Sequence, residues 1–353
     1  MKLQQVIKPN VRALRAYTLS PHRASIKINQ NENPWDAPLK IKEETLKRFA
    51  LRKWSRYPDF IPTQLLDQLA RFAGWRADGV LAGNGSNELI QALLMVTVSA
   101  GKKVFICEPT FTLYRQVATI LEGTVSSVLL SEDFSYDVPA LLSHVAEKQP
   151  DVTIICSPNN PTGSILNDAD LAQLLRIAKG LVVIDEAYHE FSDHSVVSLL
   201  NEYENLVVLR TFSKAMAMAA FRVGYLLSSA ELVHEIGKGL LPYNLNYFSM
   251  TAAQVALEMY EEALKPLVDQ IVNERERVFD ALNEIEGFSP VRSNANFMIV
   301  KSRLDPKRVF SWLLERDVLI RDVSSYPMLE KYFRISIGTP EENDKLLGAL
   351  REL

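Results

Sequence analysis

Residues 152–163 read VTIICSPNNPTG, a short strand-like run that is apolar except for one threonine and leads into a polar, proline-rich turn. Residues 181–188, LVVIDEAY, and residues 206–214, LVVLRTFSK, repeat this plan further along the chain. Strands that are apolar on both faces are typical of parallel sheets covered by helices. The three stretches therefore predict buried strands that each end in polar side chains.

Similar apolar runs lie on both sides of these three, and amphipathic segments separate them. Strands that alternate with helices favour a mostly parallel sheet sandwiched between helices, an α/β fold. The predicted strands are Lys103–Cys107, Val125–Leu129, Val152–Cys156, Leu181–Ile184, Leu206–Leu209 and Val223–Leu227, and the helices between them include Thr112–Leu121, Pro139–Glu147 and Asp168–Lys179.

The pattern changes after about residue 245. Long helical segments fill residues 250–286, and shorter strands follow at Asn296–Val300 and Tyr332–Ile337. This order is typical of an α+β unit, and the first 30 or so residues, which carry no clear part of the sheet, are expected to pack with it. We predict a large domain over residues 35–245 and a small domain formed by residues 1–34 and 246–353.

Charge and composition exclude several classes of partner. The net charge of -4 leaves no broad basic field for a nucleic-acid backbone. No run of about 18 apolar residues predicts a membrane span, and the first ten residues lack the apolar core of a signal peptide. Cys107 and Cys156 each follow an apolar run, as reduced core cysteines do. We expect a cytoplasmic protein with no nucleic-acid or membrane partner.

Other ligand sites are weakly supported by the sequence. The acidic pair at Asp185 resembles the end of a nucleotide-hydrolase strand, but no Gly-x-x-x-x-Gly-Lys-Ser/Thr loop occurs. Gly83 and Gly85 are not followed by the spacing of a dinucleotide loop. His189 and His194 are five residues apart, which is wrong for one helical face, so we expect exposed histidines and no metal site.

The predicted strand ends gather groups whose chemistry fits one cofactor. Ligands of open α/β sheets collect at the carboxyl ends of the strands. Lys214 offers an amine for a Schiff base, and Asp185 offers a carboxylate that can keep a pyridine nitrogen protonated. Asn160 and Tyr188 offer hydrogen-bond donors to a ring oxygen. Together these residue types point to pyridoxal 5'-phosphate.

A phosphate needs an arginine fork, hydroxyl groups and free backbone N–H groups. Small residues just before the helical run Leu89–Val96 let backbone amides approach an anion, and the helix N-terminus adds its dipole. The predicted anion cradle comprises Gly85, Ser86, Asn87, Thr211, Ser213 and Arg222.

At these residues the chain resembles the fold-type I pyridoxal-phosphate-dependent aminotransferases, and among them most resembles the histidinol-phosphate aminotransferase family. The resemblance extends over nearly the whole chain, and its blocks are specific to the superfamily only when taken together and in order. The matching blocks are residues 31–34 (NENP), 56–59 (RYPD), 83–88 (GNGSNE), 109–111 (PTF), 159–163 (NNPTG), 185–188 (DEAY), 213–214 (SK) with Arg222, and 334–338 (RISIG).

The resemblance implies a role for each matching residue. Lys214 would be the Schiff-base lysine and the general base for a 1,3-proton shift, and Asp185 would pair with the pyridine nitrogen. Phe111 would stack on the ring face, and Arg334 would clamp the substrate α-carboxylate with two hydrogen bonds. Tyr57 would reach the cofactor phosphate of the neighbouring subunit, which would make the enzyme a homodimer with a composite active site.

The resemblance also implies substrate-side contacts at Tyr17, Asn33 and Arg321, with Arg321 a candidate for a substrate phosphate.

One stretch departs from the family, because residues 215–221 read AMAMAAF where glycines are usual. The methyl groups of Ala217 and Ala220 are expected to favour a regular helix and to narrow the approach to the phosphate.

The function implied is amino transfer from L-histidinol phosphate to 2-oxoglutarate, within histidine biosynthesis. Two alternatives share every cofactor residue: an aromatic amino-acid aminotransferase and a threonine-phosphate decarboxylase. A non-catalytic protein retaining the fold is a third alternative, and the presence of both Lys214 and Asp185 argues against it.

Overall fold

The computed structural model describes residues 6–14, 16 and 21–353, so the predicted substrate contact Tyr17 lies outside the described residues. The helices are α1 Pro9–Ala13, α2 Leu39–Ala50, α3 Thr63–Ala73, α4 Ser86–Thr97, α5 Leu113–Ile120, α6 Val138–Lys148, α7 Asp168–Ile177, α8 Ala230–Gly237, α9 Tyr247–Glu258, α10 Lys265–Asn283, α11 Pro306–Glu315 and α12 Pro340–Arg351. The strands are β1 Ile26–Lys27, β2 Val80–Gly83, β3 Lys103–Glu108, β4 Thr124–Leu129, β5 Val152–Cys156, β6 Leu181–Asp185, β7 Leu206–Thr211, β8 Gly224–Leu227, β9 Phe288–Pro290, β10 Phe297–Ser302, β11 Val318–Leu319, β12 Arg321–Asp322 and β13 Tyr332–Ser336.

A seven-stranded sheet forms the centre of the molecule, in the order β2-β8-β7-β6-β5-β3-β4. Strand β8 is antiparallel to both of its neighbours, and the other strands run in one direction. The predicted mostly parallel sheet is therefore confirmed. Strand β2 was not predicted, because four residues at a sheet edge carry too little pattern to separate from a loop.

Alternate residues of the inner strands supply apolar cores on opposite faces of this sheet. In β3, Phe105 and Cys107 belong to the core shared with helices α3, α6, α7 and α9. Val104 and Ile106 belong to the core shared with α4, α5 and α8. A strand with two buried faces must be apolar throughout, which explains the runs seen in the sequence.

Strands β12, β13, β10 and β9 form a second, antiparallel sheet, which packs with α10, α11 and α12. The amino-terminal segment joins this part of the molecule, since β1 pairs in parallel with β11 and the Ile28 carbonyl accepts from Ser336 N at 2.8 Å. Helix α9 packs instead on α2 and α3. We propose that the domain boundary lies after α9 and not at residue 246.

The segment after Lys214 corrects the expectation of a regular helix. Ala217 adopts a left-handed conformation with φ 54°, and only a short 3₁₀ turn follows at Ala219–Phe221. Met218 N donates to the Phe212 carbonyl at 3.2 Å, and the Met216 and Met218 side chains are buried. Burying these two methionines overrides the helix propensity of the alanines.

The two histidines also differ from expectation. His189 is buried in a 3₁₀ turn that places its Nδ1 atom 3.1 Å from Glu190, while His194 is half-buried beside Asp168. The described residues contain no group of three side chains arranged to hold a metal. None of the described helices combines the length and apolar character needed to cross a bilayer.

Candidate active site

The strand ends open onto a cavity of about 480 Å³, a volume in the range of small-molecule sites. It lies beyond the carboxyl ends of β5, β6 and β7, and residues of the second sheet close its other side. Of the residues predicted for the site, twelve line this cavity: Ser86, Asn87, Phe111, Asn160, Asp185, Tyr188, Thr211, Ser213, Lys214, Arg222, Arg321 and Arg334.

Lys214 follows β7, and its Nζ atom donates to the Gln30 carbonyl at 3.0 Å. Burial of the amine, assisted by the positive charge of Arg334, lowers the pKa of Lys214 to about 7. The ammonium form is disfavoured because it loses solvation and meets like charge. Above pH 7 the amine is therefore mostly neutral, as a nucleophile or a general base must be.

Asp185 ends β6, and only 3% of its surface is exposed. Its Oδ2 accepts from the Tyr114 hydroxyl at 2.6 Å, and its Oδ1 accepts from Ala187 N at 3.1 Å. Burial raises the pKa of Asp185 to about 6, against the lowering effect of these two donors. A buried carboxylate that faces a cavity suits a cationic ring nitrogen, because a cation bound in the cavity would balance the negative charge of the carboxylate.

Tyr114 was missed by the sequence analysis, although it falls inside a predicted helix. It lies three residues after Phe111, and the two rings meet edge to face with centroids 5.6 Å apart. A second aromatic residue at the start of α5, so close in sequence to Phe111, was the available signal.

Tyr188 and Asn160 form a polar part of the cavity wall. The Tyr188 hydroxyl accepts from Asn31 Nδ2 at 3.1 Å and from Asn160 Nδ2 at 3.2 Å, which leaves its own proton free to donate into the cavity. Burial raises the pKa of Tyr188, so the phenol keeps that proton. Asn31 is a further site residue that the sequence analysis did not assign.

Arg334 extends this wall from β13. Its Nη1 donates to Asn160 Oδ1 at 2.6 Å and its Nη2 donates to the Asn29 carbonyl at 3.0 Å, so the planar guanidinium is held at the cavity wall. A fixed arginine fork can receive a carboxylate with two parallel hydrogen bonds.

The residues predicted to form an anion cradle lie together. Arg222 Nη1 donates to the Ser213 hydroxyl at 2.9 Å, and the Thr211 hydroxyl donates to the same oxygen at 3.0 Å. Helix α4 begins beside them, after Gly85 with φ 82°. A Cβ atom on Gly85 would lie 2.5 Å from Arg222 Nη2, so the guanidinium would have to move to admit it.

Two predicted site residues lie elsewhere. Asn33 does not line this cavity: its Nδ2 donates to the carbonyls of Lys214 and Ala215, at 3.4 and 3.3 Å, and so supports the lysine loop from behind. Tyr57 is 76% exposed and stacks on Tyr243 with ring centroids 4.5 Å apart. The chain does not bring Tyr57 to its own cavity.

Comparison with known proteins agrees with this geometry. Residues 23–350 match the family described as aminotransferase class I and II. Histidinol-phosphate aminotransferases from Chlorobium limicola and Chlorobium phaeobacteroides are 36% and 38% identical to the chain; each alignment covers 99% of this chain, and 99% and 98% of the relatives.

Solved structures show the same architecture. The histidinol-phosphate aminotransferase of Clostridium acetobutylicum has a TM-score of 0.85 at 26% identity, covering 93% of this chain and 98% of its own. That of Sinorhizobium meliloti, solved with pyridoxal-5'-phosphate, has a TM-score of 0.88 at 24% identity, covering 98% and 96%, and shows the common fold. Since the family match and both relatives extend over almost the full length, the chain belongs to the class I and II aminotransferases.

Proposed function

We propose that this aminotransferase moves the amino group of L-histidinol phosphate to 2-oxoglutarate, as a step of histidine biosynthesis. One observation carries the proposal: a single cavity holds a largely neutral lysine, a buried carboxylate and an anion cradle. The full-length likeness to histidinol-phosphate aminotransferases supports the choice of amino donor.

Pyridoxal phosphate is the cofactor of this family, and the cavity residues fit it. Asp185 would hold the ring nitrogen, while Asn160 and Tyr188 would donate to the ring oxygen and Phe111 would cover one face. Bound there, the cofactor supplies an aldehyde that takes up the amino group and a ring that withdraws electrons from the substrate Cα. The phosphate would lie in the anion cradle: Gly85, Ser86, Asn87, Thr211, Ser213 and Arg222.

The side chains that line the cavity have separate roles in amino transfer. Arg334 would bind and orient the carboxylate of 2-oxoglutarate, and Arg321, which also lines the cavity, would attract the phosphate of the amino donor. Lys214 Nζ would take the proton from the donor Cα and return it on the far side of the amino nitrogen, two bonds away, as a 1,3-proton shift requires. Its lowered pKa near 7 leaves the amine free to accept that proton at neutral pH.

A substrate panel tests the choice of donor. The purified enzyme would be incubated with 2-oxoglutarate and histidinol phosphate, phenylalanine, tyrosine or threonine phosphate, and glutamate would be measured. We expect kcat/KM for histidinol phosphate to exceed the others by at least about a hundredfold, roughly 2.7 kcal/mol. A preference for an aromatic amino acid would contradict the proposal, as would release of carbon dioxide from threonine phosphate, which marks a decarboxylase.

We propose further that the enzyme is a homodimer in which Tyr57 completes the active site of the partner. The support is an exposed aromatic pair, Tyr57 and Tyr243, with the exposed Phe60 ring edge-on to Tyr243 at 5.6 Å. Exposed apolar side chains that lie together often mark a protein interface. Further exposed apolar residues near the pair in the sequence are Leu51, Trp54, Ile61 and Leu241.

Coexpression of two inactive variants tests this composite site. A heterodimer of Tyr57→Ala and Lys214→Ala chains, isolated by two different affinity tags, contains one site with both residues intact and one site with neither. We expect about half of the wild-type activity per dimer, because only one site of two can turn over. A heterodimer no more active than the Tyr57→Ala homodimer would exclude the shared site.

The close contact at Gly85 leads to another prediction. In Gly85→Ala the new methyl group would push Arg222 from its position, and we expect the affinity for pyridoxal phosphate to fall at least tenfold, about 1.4 kcal/mol. Fluorescence titration of the apoenzyme measures it. Gly101→Ala is a matched control, since Gly101 also has a positive φ of 88° but no atom within 4 Å of the added carbon.

Both glycine variants should lose roughly 1–3 kcal/mol of stability, because alanine is strained at a positive φ, and Gly85→Ala should lose the more, since φ 82° with ψ 162° is adopted almost only by glycine. Only Gly85→Ala should lose cofactor. Equal cofactor affinity in the two variants would show that the cradle does not receive the phosphate.

We also propose a cytoplasmic location. Cys107 and Cys156 are both free and buried, and their thiols are of the kind that reducing compartments preserve.

A further inference from the structure

The contact between Tyr114 and Asp185 joins a helix to the strand that carries the buried carboxylate. Tyr114 lies on α5 and has none of its surface exposed, and Asp185 is 3% exposed at the end of β6. The phenol donates to Asp185 Oδ2 over 2.6 Å. A hydrogen bond this short to a carboxylate, away from water, is among the stronger ones in proteins.

The surroundings of Asp185 determine how much its ionisation depends on the hydrogen bond from Tyr114. Besides Tyr114, one backbone amide, Ala187 N, donates to the carboxylate at 3.1 Å. The other titratable groups that act on it are acidic or neutral, and within the described part of the chain no cation is among them. Those groups are Tyr136, Cys156, Glu186 and Tyr188.

Burial and the neighbouring Glu186 both raise the pKa of Asp185, whereas the Tyr114 hydroxyl and the Ala187 amide lower it. The carboxylate is therefore close to holding its own proton near neutral pH. A carboxylic acid in this place could not stabilise a positive charge on a ring nitrogen.

We propose that Tyr114 is a positioning residue, whose hydroxyl keeps the Asp185 carboxylate ionised and oriented toward the cofactor ring nitrogen. The inference rests on the proposed function for the cofactor. Tyr114 acts through Asp185: it fixes one oxygen of the carboxylate from the helix side while the Ala187 amide fixes the other.

The test removes one hydroxyl group. In Tyr114→Phe apoenzyme labelled with ¹³C-aspartate, we expect the acid dissociation constant of Asp185 to fall about tenfold. The resonance is assigned by its loss in Asp185→Asn. In the holoenzyme, the acid limb of the kcat/KM profile should move up by about one pH unit, while the plateau at high pH stays within about threefold of wild type.

Tyr136→Phe is the matched control, because Tyr136 is also a buried tyrosine near Asp185 but donates to the Cys156 carbonyl. It should leave both the titration and the acid limb in place. A Tyr114→Phe enzyme that loses activity equally at every pH, with an unchanged Asp185 titration, would overturn the inference and leave only a structural role.

A second substitution covers the case in which Tyr114→Phe does not fold. Replacement of Tyr114 by 3-fluorotyrosine keeps the ring and makes the phenol a stronger donor, so the acid limb should move to lower pH; movement upward or none would overturn the inference. The apoenzyme titration needs no cofactor. Wild-type protein that retains no pyridoxal phosphate would instead overturn the proposed function, so the two failures are distinguishable.

Discussion

Lys214→Ala is expected to lower kcat by at least about 10⁴-fold, since a positioned general base alone contributes about 10²–10⁴-fold and the covalent attachment of the cofactor is lost as well. The alanine that replaces Lys214 carries neither a nucleophile nor a proton acceptor. Among the described residues that line the cavity there is no second lysine.

Two measurements check this result. Steady-state assays give the loss of turnover, and borohydride reduction followed by peptide mass spectrometry reports covalent attachment at residue 214. Lys238→Ala is a suitable control, because Lys238 lies on the surface and pairs with Glu235. If the Lys214→Ala protein still forms a reducible adduct with pyridoxal phosphate, Lys214 is not the attachment point.

Asp185→Ala is the second change with a large expected effect. We expect a loss of three or more orders of magnitude in kcat, about 4 kcal/mol or more of barrier, because the ring nitrogen loses the charge that keeps it protonated. Single-turnover kinetics at saturating cofactor separate this loss from weaker cofactor binding. Activity within about tenfold of wild type, only ~1.4 kcal/mol, would exclude the role.

Asp185→Asn shows whether the loss comes from unfolding. Burial places the folded-state pKa of Asp185, about 6, above its ordinary value of 3.8. The raised pKa therefore contributes stability to the folded state that is fully present below about pH 3.8 and is lost as the pH rises through 6. At pH 7.5 the neutral asparagine should make the apoenzyme more stable than wild type, by up to about 3 kcal/mol. Thermal unfolding of both apoenzymes measures it, and a lower Tm for the variant would contradict the assignment.

Much of the fold could be predicted because its strands are buried on both faces. A strand such as Val152–Cys156, with helices covering both of its faces, has no exposed side on which polar residues would be expected. Its predicted position therefore matched the structure closely. Edge strand β2 and the loop after Lys214 could not be predicted. In both places the local pattern is short, and segments distant in sequence make contacts there: β8 pairs with β2, and the Asn33 amide donates to the loop after Lys214.

The residues of the candidate site likewise fall into those that could be predicted from the sequence and those that could not. Side chains at or shortly after the end of a predicted strand, such as Asp185 and Lys214, were placed by the rule that parallel strands end at one edge. Tyr114 and Asn31 were not found, because each reaches the cavity from a helix or a loop. Asn33 was predicted to face substrate, yet its amide supports the lysine loop, and no pattern in the sequence gives the direction of a loop side chain.

The sequence by itself determined the buried strands and the order of amine, carboxylate and guanidinium groups along them, since these depend on residue type and spacing. The tertiary structure alone decided which of those groups share a cavity and which charges they carry there. Burial moves the pKa of Lys214 down to about 7 and that of Asp185 up to about 6. Such shifts arise from lost solvation and from neighbours distant in sequence, which only the folded chain brings together.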